Sequence, residues 1–175
     1  LDGTLAWRAS LGVPENHYGH ASSLLVRDDT LFVQMDDSDL PRLIALDTAT
    51  GSRRWEQHRD MISWASPIAI ETGGIPQIVL VSSESVAAYA PASGKRLWSH
   101  DCMGGEVGPS PAYDDGMVFV ANDYALAAGI RLETGDGAVQ CPSGQHCQIK
   151  SWTHTANGDL AFTVATRKPN NAENA

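Results

Sequence analysis

The sequence predicts an all-β protein, a β-propeller of four-stranded antiparallel blades. Three recurring markers predict it. A Gly-x-x-x-Trp element appears at Gly3 to Trp7, Gly51 to Trp55 and Gly94 to Trp98. A serine marker, Ser22-Ser23, Ser66-Pro67 and Ser110-Pro111, returns about every 44 residues. Between these lies a turn marker, Asp28-Asp29, Gly73-Gly74 and Asp115-Gly116. Three markers in one order define an internal repeat of about 40–45 residues, the length of four short strands and their turns.

The elements follow from each unit in turn. The first unit gives strands at about 22–26, 31–35, 43–47 and 52–58. The second gives 66–70, 77–82, 85–90 and 95–100, and the third 110–113, 117–122, 125–132 and 148–155. Ile78-Val79-Leu80-Val81 and Met117-Val118-Phe119-Val120 are apolar on both faces, so each needs cover on both sides. Lys95 to His100 is mixed and charged, as suits an outer edge that must not pair with another chain. Gly, Asp, Ser and Pro supply the turns, and no segment carries the period and caps of an amphipathic helix.

These strands place blades at about 20–60, 64–102 and 107–156 within a propeller segment spanning 1–167, with partial blades at both ends and a disordered polar tail at 168–175. The third unit departs from the pattern after Leu132: Thr134-Gly135 keeps part of the turn, but the next strand is displaced by about ten residues. Residues 159–166 are expected to start another inner strand. Three full units are fewer than the roughly four to eight blades of a closed ring. The first expectation is a fragment of a propeller of about seven or eight blades. Two copies closing one ring, or a structure with open edges, are the alternatives.

With 175 residues and a hydrophobic fraction of 42%, the chain can bury a core. Its net charge of −9 and scattered Lys and Arg exclude the basic stripe that nucleic-acid binding requires. No apolar run approaches the roughly 18 residues of a transmembrane helix. The first residues lack the pattern of a signal peptide. They open in mid-motif without a methionine, which leaves an upstream leader or domain open.

The residues singled out by the repeat are Trp7, Trp55, Trp98 and Trp152, with Gly51, Gly94 and Asp47 in the turns. A tryptophan near an outer strand fills the wedge between blades, and burying it stabilises by about 2–3 kcal/mol. Asp47 becomes Ala90 in the second copy, which suits a local structural role better than catalysis. Asp36, Asp37 and Asp39 form an acidic loop, a weak candidate for a calcium ion against the alternative of a solvated loop; it lacks the spacing of an EF-hand. Cys141 and Cys147 bracket a short loop and either form a disulfide, leaving Cys102 over, or stay as thiols. His146 and His154 beside them offer zinc ligands, but the spacing matches no finger and a closed or disordered loop is the simpler interpretation. His100 lies on the same strand face as Trp98, and His154 on that of Trp152. No nucleophilic triad and no phosphate-binding glycine loop can be drawn.

Ala45-x-Asp47-x-x-Thr50-Gly51-x-x-x-Trp55 resembles the tryptophan-docking repeat of the pyrroloquinoline-quinone-like (PQQ-like) β-propeller superfamily. Ala88, Ser93, Gly94 and Trp98 repeat it, and the N-terminal copy keeps Gly3 and Trp7; the resemblance covers roughly residues 1–160. The superfamily includes quinoprotein dehydrogenases that hold the quinone and a calcium ion on the axis. It also includes a non-catalytic lipoprotein of the outer-membrane protein assembly machinery, and propellers joined to other domains. Quinoprotein catalysis would need a carboxylate base, a Glu-Asn-Asp calcium set and stacking groups. Here there is no Cys-Cys dipeptide and no Cys-x-x-Cys-His site, and no such calcium set can be assigned by motif. The resemblance therefore implies a non-catalytic scaffold or protein- or ligand-binding module, periplasmic or otherwise extracytoplasmic. No catalytic residue or cofactor is expected in this segment, and its partners would be another protein or the remaining blades. One alternative is part of a PQQ- and calcium-dependent dehydrogenase acting on alcohols or sugars; another is a sensor domain fused to a further module. Fold alone does not choose among them.

Overall fold

The computed structural model describes residues 2–122, 127–135, 138–140, 146–154 and 160–167, with side chains described for 2–122 and 127–132. Four strands, β1 (Leu25–Arg27), β2 (Thr30–Met35), β3 (Arg42–Asp47) and β4 (Arg53–His58), pair antiparallel in chain order as the first sheet. The second sheet repeats this with β5 (Ile68–Thr72), β6 (Ile75–Val81), β7 (Ser85–Tyr89) and β8 (Arg96–Asp101). The third takes β9 (Ala112–Asp114), β10 (Met117–Ala121) and β11 (Ala127–Arg131) and leaves its neighbours for a detour. A hairpin, β12 (Glu133–Gly135) with β13 (Ala138–Gln140), folds out of the interrupted turn and lies beside β8. The sheet then resumes with β14 (His146–His154) and β15 (Leu160–Arg167). The three sheets stack as blades of an unclosed propeller, and no helix occurs among the described residues.

The third blade corrects one expectation. The strand expected within 159–166 appears as β15 and does not begin the inner strand of a further blade. β15 turns straight back along β14, from Leu160 against His154 to Arg167 against His146, so this sheet has five strands. A strand that pairs with the edge it has just left needs only a short hairpin connection, whereas an inner strand would require a crossing of the whole blade. The proposed Cys141–Cys147 pairing and the tail at 168–175 lie outside the described residues.

Alternation along the middle strands makes the core. On β6, Ile78 and Leu80 face the first blade, where they meet Phe32, Leu43 and Ala45; Val79 and Val81 face the third, among Val118, Val120, Ala128 and Ile130. All four β6 side chains are buried. The far face of the first blade, Val33, Met35, Ile44 and Leu46, is covered by Trp7, Ala9 and Leu11 of the N-terminal segment. Those three alternate, so an extended stretch presents one apolar face.

Two like contacts fasten the N-terminal segment to the first blade and the first blade to the second. The Trp7 indole lies on Gly51 and its N–H donates to the Thr48 carbonyl at 2.8 Å. One unit later, the Trp55 indole lies on Gly94 and donates to the Pro91 carbonyl at 2.9 Å. Both glycines hold φ near +70°, at +71° and +72°. A Cβ at Gly51 would stand 2.4 Å from the Trp7 ring, and one at Gly94 2.6 Å from that of Trp55. At the start of each blade a serine relay runs the same way: the Ser23 amide donates to the Ser66 hydroxyl at 2.8 Å, and the Ser66 amide to the Ser110 hydroxyl at 2.9 Å.

Gly94→Ala and Gly74→Ala separate crowding from backbone strain. Both positions have positive φ, at +72° and +76°, but nothing lies within 4 Å of a Cβ at Gly74. Urea unfolding should show a loss of about 1 kcal/mol for Gly74→Ala. Gly94→Ala, which also displaces an indole, should lose about 3 kcal/mol or more.

Candidate functional site

The antiparallel meander gives the blades two unlike ends. The β1–β2, β3–β4, β5–β6 and β7–β8 connections lie at one end, the turn end; the β2–β3, β4–β5, β6–β7 and β8–β9 connections lie at the other, the loop end, where β4–β5 and β8–β9 are the long ones. The docking glycines and Asp47 belong to the turn end. There Asp47 accepts from the Ala49 and Thr50 amides and the Thr50 hydroxyl through one oxygen, at 2.9–3.0 Å. Its other oxygen meets Arg54 at 2.6 Å, and Arg54 also holds Asp29 at 2.7 Å. Arg54 and Thr50 lower the Asp47 pKa from 3.8 to about 2. In the second blade Ala90 replaces the aspartate, yet the turn closes in the same way: Gly94 N–H donates to Ala90 O at 2.8 Å, as Gly51 N–H does to Asp47 O at 2.8 Å. The aspartate thus reinforces a turn whose backbone closes without it. Between these blades an open groove of about 400 Å³ is floored by Phe32, Ile75, Pro76 and Leu97.

Trp98 departs from the other two indoles. It is buried among Val86, Ala88 and Val118, but its N–H donates to the Gln77 side chain at 2.7 Å, inside its own sheet. An indole has one donor, so this bond replaces a bond to the next blade. The third unit, which follows Trp98, is also where the chain leaves the pattern for the β12–β13 hairpin. Trp152 falls on β14, opposite Phe162.

The acidic loop lies at the loop end, and its aspartates go separate ways. Asp36 is buried and paired with Arg59, itself buried, through a guanidinium contact to Asp36 Oδ1. The Gln34 amide and the Ser63 N–H donate to its other oxygen. Arg59 reaches on to the Val81 carbonyl at 2.6 Å and so ties the first blade to the second. Burial holds the Asp36 pKa above the usual carboxylate range, opposed in part by the Arg59 charge and the two donors. Asp37 turns outward and accepts the Glu15, Asp39 and Leu40 amides at 3.0–3.2 Å. The three aspartates of this loop, the weak calcium candidates, therefore do not act as one group: Asp36 is taken by Arg59, and Asp37 closes its own loop. Among the described residues no three His, Cys, Asp or Glu side chains converge to hold a metal ion. The hydroxyls of Ser66 and Ser110 serve the blade-to-blade relay.

An aromatic cluster that no sequence motif marks lies on the same end. Asn16 to Gly19 form a β-turn, closed by Gly19 N–H to Asn16 O at 2.9 Å. His17 and Tyr18 stand at its tip. The Asn16 side chain accepts from the Tyr18 amide at 3.2 Å and from the Trp64 indole at 2.8 Å, and donates to the Asp36 carbonyl at 3.1 Å. The three rings meet with centroids 4.1 Å apart for His17 and Tyr18, 5.2 Å for His17 and Trp64, and 5.0 Å for Tyr18 and Trp64. Glu106, from the β8–β9 loop, lies 3.4 Å from His17 Nε2 and raises the Tyr18 pKa by hydrogen bonding and charge. Tyr18 is 63% exposed. Trp64 stands outside the Gly-x-x-x-Trp period, so the repeat could not single it out; the only local signal is Asn16-x-x-Gly19.

Stacked four-stranded blades fastened by an indole on the next blade's glycine define a PQQ-like repeat propeller. A family model described as "Outer membrane protein assembly factor BamB" matches residues 1–79 and 82–166, and the chain belongs to this family. Among solved structures it is similar to BamB from Moraxella catarrhalis, with a TM-score of 0.57 and 14% identity over 95% of this chain and 56% of that one. It is also similar to a europium-containing methanol dehydrogenase, with a TM-score of 0.58 and 15% identity over 85% of this chain and 27% of that one. At these identities the likeness is one of fold, and the chain spans about half the length of the BamB structure. No curated protein sequence is a significant match.

Two outcomes follow from the charged groups. Asp47 has its pKa lowered in the fold, so its contribution to stability is present above about pH 4 and lost as pH falls towards 2. Urea midpoints between pH 5 and pH 2 should fall less steeply for Asp47→Asn than for the parent. Arg59→Met strands a buried carboxylate and should cost about 3–5 kcal/mol, while Asp36→Leu combined with Arg59→Met should recover most of that loss.

Proposed function

We propose that this chain is a non-catalytic propeller scaffold that works outside the cytoplasm and binds another protein at its loop end. The observation that carries this is the aromatic turn: His17 and Tyr18 face solvent and are held in place over Trp64 by Asn16. Rings fixed in this way lose little conformational freedom on binding, and exposed Tyr and Trp supply large contact area. Loops carried by a rigid sheet scaffold are the usual seat of recognition. Membership of a family described by an outer-membrane assembly factor supports both the scaffold role and the location.

The likeness to a methanol dehydrogenase favours a second reading, in which this chain supplies blades to a PQQ- and calcium-dependent oxidation of alcohols or sugars. The chain covers 27% of that enzyme, and its described residues bring no acidic donor set together. The assay that decides is dye-linked oxidation of alcohols and sugars by the protein, in its longest native form, with added PQQ and calcium. The scaffold reading expects no turnover above the protein-free control. Robust turnover would overturn it.

A further inference from the structure

We infer that Tyr18, Trp64 and Glu106 form a seat for a lysine or arginine side chain of the protein partner, an inference that rests on the scaffold reading. Two aromatic rings with a carboxylate beside them are what an ammonium or guanidinium group requires: π faces attract the cation and the carboxylate accepts its N–H. The free protein already shows this complementarity. His17, a ring that carries positive charge when protonated, lies against both Tyr18 and Trp64 with Nε2 3.4 Å from Glu106. His17 sits at the tip of an exposed turn, and its side chain is 57% exposed, so it can swing aside for a stronger cation.

The charge around the seat selects the same partner. Arg27, Arg42, Arg53, Arg54, Arg59 and Arg96 are all held in ion pairs. Among the described residues, Glu15, Asp39, Glu84 and Glu106 of the loop end stand in no ion pair with a Lys or Arg, and Glu106 meets His17. With a chain charge of −9, this end attracts a basic segment and repels an acidic one, which raises the association rate and excludes wrong partners.

The test uses two fluorescein-labelled peptides of equal length, one of Lys and Ser, one of Glu and Ser, titrated with the protein at low salt and followed by anisotropy. The Lys/Ser peptide should bind and the Glu/Ser peptide should not. Glu106→Gln and Tyr18→Ser, both at exposed positions, should each weaken binding about threefold or more. Asp28→Asn removes an equal charge at the turn end, 87% exposed, and should leave binding unchanged. Circular dichroism confirms that each variant is folded. Failure of the Lys/Ser peptide to bind, equal binding of both peptides, or equal weakening by Asp28→Asn and Glu106→Gln would each overturn the inference. Those results leave the scaffold reading standing, because that reading falls only on quinone-dependent turnover.

Discussion

An indole laid on a glycine of the next blade is the contact on which the structure turns. Each blade here is a thin sheet, and its middle strands are apolar on both faces. Ile78, Val79, Leu80 and Val81 are at most 1% exposed, and they are so only because a blade stands on either side. A single blade would leave half of that surface in water, at about 25 cal/mol for each Å². The sheets therefore stabilise one another or not at all, as in other repeat architectures. Trp7 and Trp55 set the spacing at the outer edge, the serine relay sets it near the start of each blade, and Arg59 spans the first two blades at the loop end.

The same constraint explains where the repeat is allowed to vary. Asp47 and Ala90 occupy matching turns that close with matching backbone bonds, so the side chain is free to change while the glycine is not. Trp98 shows the opposite case. Its burial is kept, but its N–H turns inward to Gln77, and the third unit is also where the chain spends an additional hairpin. Packing between blades survives the loss of the polar lock, because Val118, Val120, Ala128 and Ile130 still cover the second blade.

Sequence reached what depends on period. Strand order, the turn positions and the double-faced character of Ile78 to Val81 are all local patterns repeated in register, and the sheets follow them closely. It missed what depends on distant partners. Asp36 looks like its neighbours Asp37 and Asp39, and only the fold shows that Arg59 buries it while Asp37 faces out. Trp64 obeys no period, and its role comes from Asn16, 48 residues away. The direction taken by β15 was hidden for the same reason, since an apolar strand reads alike whether it extends the present blade or starts another.

Both ends of the propeller thus fasten blades, the turn end through indoles on glycines and the loop end through Arg59 and the serine relay, and the loop end also presents rings and carboxylates to solvent. This arrangement requires that the blades behave as one body under the loops. Native-state hydrogen exchange across a urea series measures that most directly. The amides of β2 and β3 in the first blade and of β6 and β7 in the second should open together, with one common free energy and one dependence on urea. Separate opening, with one blade exchanging while its neighbour stays protected, would contradict the mutual support on which the structure is built.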